Sequence, residues 1–196
     1  ENTAVVNLYS CEGCGVCSHV CPAGAVRLLP DVAGKKELYT GARVFSTATL
    51  KMGRGNSGKL VTEGKRAMLK AAPPCELAIV DGSPGIGCPV IASVNGMDLV
   101  LVVAEPSGSG ISDLKRLCAT AATLQVQLAV CVNKYDVSPQ HTERIETFCR
   151  QQGIAFVGKI PFDPMAVRAV NEGTTVVDID CPAGRAVREI FAKLTA

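Results

Sequence analysis

Four short, uninterrupted apolar runs recur along the chain, at Leu77–Asp81, Leu99–Glu105, Leu128–Asn133 and Phe156–Pro161. Between and after them lie amphipathic segments near Ser112–Leu124, Pro139–Gln152, Pro164–Glu172 and Ala183–Leu194. A strand that is apolar on both faces must be covered on both, and parallel strands joined by helices achieve this. The pattern predicts an α/β fold: a mostly parallel sheet flanked by helices.

The first third reads differently. Residues 1–36 read as a small cysteine-bearing module, with a short strand around Ala25–Leu29, and residues 37–196 as the α/β domain. Thr, Val, Tyr and Phe are enriched over Glu37–Met52, which predicts two strands. Gly53-Arg-Gly-Asn-Ser-Gly58 is turn-forming, and Ser57 is the expected cap of a helix that runs to about Ala72 and stops at Pro73-Pro74.

Charge narrows the partners. Twenty Lys and Arg balance eighteen Asp and Glu, a formal net charge of +2. That balance makes no electrostatic case for nucleic acid or a membrane surface. The apolar run at Leu99–Ala104 falls far short of the ~20 residues that span a bilayer, so no membrane span is expected. No signal peptide is evident at the N-terminus, and the chain starts at Glu1, which reads as a piece of something longer. With ten cysteines and no secretion signal, the expected setting is a reducing cytoplasm.

Four of those cysteines lie in one run, Cys11-Glu-Gly-Cys14-Gly-Val-Cys17-Ser-His-Val-Cys21-Pro22. This is the bacterial ferredoxin spacing C-x₂-C-x₂-C-x₃-C-P, which predicts a 4Fe–4S cluster with Cys11, Cys14, Cys17 and Cys21 as metal ligands. Gly13 and Gly15 allow the backbone to wrap closely. A zinc knuckle fits less well, because zinc favours two well-separated C-x₂-C pairs. In two-cluster ferredoxins the fourth cysteine serves the other cluster, so Cys21 raises the question of a second run, or of a remote cysteine such as Cys88 or Cys181. Cys118, Cys131 and Cys149 sit in apolar or helical surroundings and read as packing residues.

Nucleotide signals come next. Leu77–Asp81 ends in an acid and is followed by Gly82-Ser-Pro-Gly85. An Asp at such a strand end can serve a magnesium shell, and the following Gly can offer its N–H to a terminal phosphate. Asp81 and Gly85 are therefore the candidate catalytic residues. Asn133-Lys134-Tyr135-Asp136 and Pro161-Phe162-Asp163 follow two further strands. Ligands of open α/β sheets bind at carboxyl strand ends, which makes Asn133, Lys134, Pro161 and Asp163 candidates for holding a nucleotide base. Gly53-x₄-Gly58-Lys59 looks like a phosphate loop, but Leu60 stands where a Ser or Thr would hold magnesium, so it is not read as one.

Taken together, these motifs resemble the MinD-type P-loop ATPases that carry an inserted ferredoxin domain, relatives of the nitrogenase iron protein and of the ParA and Mrp groups. The likeness runs through Cys11–Pro22, Asn56–Val61, Asp81–Val90, Glu105-Pro106, Asn133–Asp136 and Gly158–Pro164. It implies a P-loop NTPase-like sheet with ATP and Mg as cofactors. Asp81 would lie near the metal, Gly85 at the γ-phosphate, and Asn133, Pro161 and Asp163 around adenine. It also implies two ferredoxin-type clusters, a nucleotide-dependent homodimer, and a metalloprotein or redox partner. The expected role is coupling ATP to electron transfer or metal-centre maturation, with Cys88 as a further redox or metal-bridging thiol. Members of that family open with a strand, a P-loop and a first cysteine run. This chain has none of these, reads as the C-terminal part of such a protein, and is expected not to hydrolyse ATP alone. Two other readings stand beside this one. One is a non-enzymatic electron-transfer or scaffold module with one cluster and a partner protein. The other is a GTP-type switch, since Asn133–Asp136 matches NKxD.

Overall fold

The computed structural model describes residues 3–7 and 10–195. The chain divides into two compact units, Glu1–Ser93 and Val94–Ala196.

The first unit holds a short helix α1 (Val16–Val20), an antiparallel hairpin of β1 (Gly34–Tyr39) and β2 (Phe45–Leu50), and helix α2 (Ser57–Ala71). It ends in α3 (Cys88–Val94), whose last residue falls in the second unit. The hairpin is the expected pair of strands, with Leu38 opposite Ser46. Helix α2 packs on it, and Ser46 Oγ donates to the Gly64 carbonyl at 3.0 Å. Lys65, within α2, donates through Nζ to the carbonyls of Ala92 and Ser93 at 2.9 and 3.1 Å, which satisfies acceptors at the end of α3.

Three local expectations are corrected. Residues Ala25–Leu29 are irregular, not a strand. The segment Leu77–Asp81 carries no strand ladder either, and Leu77 and Ile79 are exposed. A strand is defined by its partner, and among the described residues none pairs with either segment. At α2 the cap is Asn56, not Ser57; Asn56 is left-handed (φ 68) and makes no side-chain bond to the helix.

The second unit is a parallel sheet in the order β3-β4-β5: β3 (Leu99–Ala104), β4 (Gln127–Asn133) and β5 (Ala155–Ile160). Helices α4 (Gly108–Leu124) and α5 (Pro139–Gln152) make the connections. Helices α6 (Pro164–Asn171) and α7 (Pro182–Leu194) follow, with a 3-10 turn at Val176–Asp178 between them. Each boundary has a local cause. Ser107 accepts the Gly110 N–H at the start of α4, Pro139 opens α5, and Gly153 closes α5 in the left-handed region.

Strand β4 is buried on both sides. Val130 and Val132 pack with Leu114 of α4 and with Ile145 and Cys149 of α5. The alternate residues, Ala129 and Cys131, pack with Val157 and with Ile190 of α7. This is the three-layer arrangement that the continuous apolar runs predict, and each fully buried Val, Leu or Ile contributes about 1.5–3 kcal/mol. Cys131 and Cys149 are buried and Cys118 is half-buried, as packing residues should be. No described helix is long and apolar enough to cross a membrane.

Candidate functional site

The cysteine run lies in the first unit. Cys11, Cys14 and Cys17 are exposed and Cys21 is half-buried; all are free thiols. Gly13 (φ 63) and Gly15 (φ 81) occupy the left-handed region, and so turn the chain after Glu12 and again after Cys14. Gly15 leads into α1, which carries Cys17 in its first turn. Ser18 Oγ donates to the Val26 carbonyl at 3.1 Å and closes the loop behind the helix. The Ala25 N–H donates to Cys21 Sγ at 3.4 Å. That amide, followed by the one at Ala23, holds the Cys21 thiol below its ordinary pKa and so favours the thiolate a metal requires.

Among the described residues, no three Cys, His, Asp or Glu side chains converge on one point. The donor chemistry nevertheless suits an iron–sulfur cluster. Cys11 and Cys14 stand exposed on a glycine-turned loop, Cys17 is exposed in the first turn of α1, and Cys21 has backbone amides aimed at it, the environment that such clusters need around their thiolates.

Asp81, Gly85 and Cys88 also lie in the first unit. Asp81 is exposed in an irregular segment, Gly85 is left-handed (φ 85) in the turn that follows, and Cys88 is exposed at the start of α3. The phosphate-loop lookalike is occupied from within: the Asn56 N–H, at the start of α2, donates to the Glu12 carboxylate at 2.9 Å. A carboxylate therefore takes the amide that a phosphate would seek. This contact joins residues 44 apart and has no sequence signal of its own beyond an Asn suited to a left-handed position.

The second unit gathers the base-site candidates at the carboxyl edge of its sheet. Asn133 ends β4 and pairs in register with Ile160, so Asn133 and Pro161 are neighbours. Lys134 is left-handed (φ 53), and its Nζ meets Glu105 Oε1 at 3.0 Å, linking the ends of β4 and β3. Tyr135 donates its N–H to the Ile160 carbonyl at 3.2 Å, while Asp136 Oδ1 accepts the Phe162 N–H at 2.8 Å. Asp163 accepts from Met165 N at 3.0 Å and from Ala183 N at 3.1 Å, capping α6 and meeting the start of α7 together. The Ala183 and Met165 amides, in that order, hold its carboxyl below the ordinary range. Asn133, Lys134, Pro161 and Asp163 thus share one edge, with the loops after β4 and β5 tied to each other. Glu105 and the tie from Asp136 to Phe162 complete the set.

Residues 4–27 match the model of the 4Fe-4S binding domain. An uncharacterised protein of Methanocaldococcus jannaschii is 28% identical over 145 residues, which are 74% of this chain and 48% of that protein. An uncharacterised ATP-binding protein of the same organism is 33% identical over 126 residues, 61% of this chain and 46% of that one. An iron-sulfur cluster carrier protein of Pyrococcus furiosus is 29% identical over 152 residues, 70% of this chain and 52% of that one. The chain thus spans about half the length of these relatives. In structure, the MinD cell division protein of Aquifex aeolicus superposes with a TM-score of 0.57 at 22% identity, covering 70% of this chain and 60% of that one. The fold is therefore MinD-like α/β, with a 4Fe-4S module at its N-terminus.

Proposed function

We propose that this chain is the cluster-binding portion of a MinD-type ATPase, in which a 4Fe–4S cluster on Cys11, Cys14, Cys17 and Cys21 is coupled to nucleotide bound at the carboxyl edge of the sheet. The observation that carries the proposal is the 4Fe-4S match at residues 4–27 in a chain whose remainder has a MinD-like fold. The relatives described as an ATP-binding protein and as an iron-sulfur cluster carrier support the same pairing. In this reading residues 1–36 are the cluster module and 37–196 the nucleotide-binding domain. Asp81 and Gly85 face magnesium and the γ-phosphate, and Asn133, Lys134, Pro161 and Asp163 frame adenine. The cluster, when bound, supplies one-electron chemistry or a transferable metal centre. The whole protein works as a homodimer serving a metalloprotein or redox partner, and the free thiols suit a cytoplasmic setting. Adenine is preferred to guanine because one oxygen of Asp136, the residue that would read guanine, is engaged by the Phe162 amide.

A second reading is an electron-transfer or scaffold module without turnover, holding one cluster and a partner protein. Anaerobic purification with iron and sulfide analysis, then calorimetry with ATP and with GTP, tests both. The ATPase reading expects about four irons per chain and ATP binding in preference to GTP. Iron uptake with no nucleotide binding selects the scaffold, and absence of iron overturns a cluster held by this cysteine run alone.

A further inference from the structure

The peptide between the first two cysteines of the run is fastened to a distant part of the same unit. The Asn56 N–H donates to the Glu12 carboxylate at 2.9 Å, and the Asn56 side-chain amide donates to the Glu12 carbonyl at 2.6 Å. One bond takes the side chain of Glu12 and the other its main chain, so the peptide itself is held. An ionised acceptor makes the first bond of the stronger kind. Asn56 is the cap residue of α2, with a left-handed backbone, and its N–H points away from the helix to Glu12.

The next turn carries the connection onward. A Cβ built on Gly58 would lie 3.0 Å from the Cys88 carbonyl oxygen and 3.1 Å from the Cys88 Cβ. The first turn of α2 therefore rests directly on the residue that starts α3, with no side chain between. The path from the Cys11–Cys14 peptide to Glu12, Asn56, the first turn of α2 and Cys88 is continuous: its first link is a pair of exposed hydrogen bonds and its last a direct contact between the α2 backbone and Cys88.

We infer that Glu12 and Asn56 are positioning residues that couple occupancy of the Cys11–Cys21 run to the thiol of Cys88. The inference rests on the reading of that run as a cluster site. Drawing Cys11 and Cys14 onto one cluster reorients the peptide between them, which is Glu12-Gly13. Glu12 carries Asn56 with it, α2 shifts at its first turn, and the exposed Cys88 thiol changes its surroundings. A cluster loop and a distant thiol then respond as one device, without a shared ligand.

The test is pulsed iodoacetamide labelling of the purified chain, before and after anaerobic reconstitution with iron and sulfide. Cys88 and Cys75 are read by peptide mass spectrometry, and iron per chain is measured in parallel. Cys75, also exposed, is the internal reference. In the wild type, reconstitution is expected to change the Cys88 rate relative to Cys75 by about fivefold or more. Glu12→Gln retains an acceptor oxygen and keeps the effect; Glu12→Ala and Asn56→Ala bring the ratio to parity while iron is retained. Where Glu12→Ala takes up no iron, Asn56→Ala, outside the run, decides the same question. Gly58→Ala, which presses a methyl group onto Cys88, alters its rate with or without iron. Iron uptake with an unmoved Cys88 in the wild type overturns the coupling alone, as does an unchanged response in Asn56→Ala. A wild type that takes up no iron overturns the cluster reading and the coupling with it.

Discussion

Asp136 reaches from the loop after β4 to accept the backbone N–H of Phe162 at 2.8 Å, binding that loop to the one after β5. The bond is at the surface, so its net contribution is that of a solvent-accessible hydrogen bond. Asp136→Ala is expected to lower stability by about 1 kcal/mol, read as a shift in the urea midpoint with the slope unchanged. Asp136→Asn keeps an acceptor oxygen and is expected to recover most of the loss.

Asp163 gives the fold an acid-sensitive joint. Its carboxyl is held below the ordinary range, first by the Ala183 amide and then by the Met165 amide. A depressed folded pKa gives stability that is fully present above the unfolded value of about 3.9 and is lost as pH falls through the lower folded value. Denaturant midpoints measured from about pH 5 down to about pH 2.5 should therefore fall less steeply in Asp163→Asn than in the wild type. Asparagine keeps one acceptor oxygen and so only one of the two bonds, to Met165 or to Ala183, and the two proteins should differ most at neutral pH and converge as the pH falls.

Ile145 is fully buried against β4, together with Leu114, Val130, Val132 and Cys149. Ile145→Ala should cost about 2–5 kcal/mol, depending on how far the cavity collapses. Ile145→Val should cost about 0.5–1.5 kcal/mol. Equal losses for the two variants in chemical denaturation would contradict the packing described.

The thiols should separate by chemistry. Cys14→Ser or Cys17→Ser is expected to reduce reconstituted iron well below the wild-type amount and to change the visible spectrum. Cys118→Ser is expected to leave iron unchanged, because Cys118 lies half-buried in the α4/α5 core of the other unit. Treating the reconstituted protein with an iron chelator should remove the spectrum and leave the far-ultraviolet circular dichroism of the α/β unit intact.

Local signals in the sequence suffice where one segment contains its own cause. Helix Pro139–Gln152 matches its expected bounds because Pro139 opens it and Gly153 closes it. Strands β3 to β5 were legible from apolar continuity. What failed depends on partners. Leu77–Asp81 has the composition of a strand, yet no described strand pairs with it. Asn56 takes the cap position in place of Ser57, and its backbone and side-chain amides donate to Glu12, a partner 44 residues away. The edge with Asn133, Lys134, Pro161 and Asp163 was foreseeable from strand ends. The second bond of Asp163, to Ala183 in the next helix, was not, since no periodicity announces a contact 20 residues away.

Strand β4 presents Val130 and Val132 to one helical layer and Ala129 and Cys131 to the other. The two faces differ in side-chain volume as well as in partners. Sliding the strand by one residue would exchange them, leaving a gap beside Leu114 and Ile145 and forcing valines toward Ile190. Both errors are penalised at once, one as a void and the other as a clash. The central strand therefore specifies its own alignment, and only the native register sets Asn133 opposite Ile160 and beside Pro161.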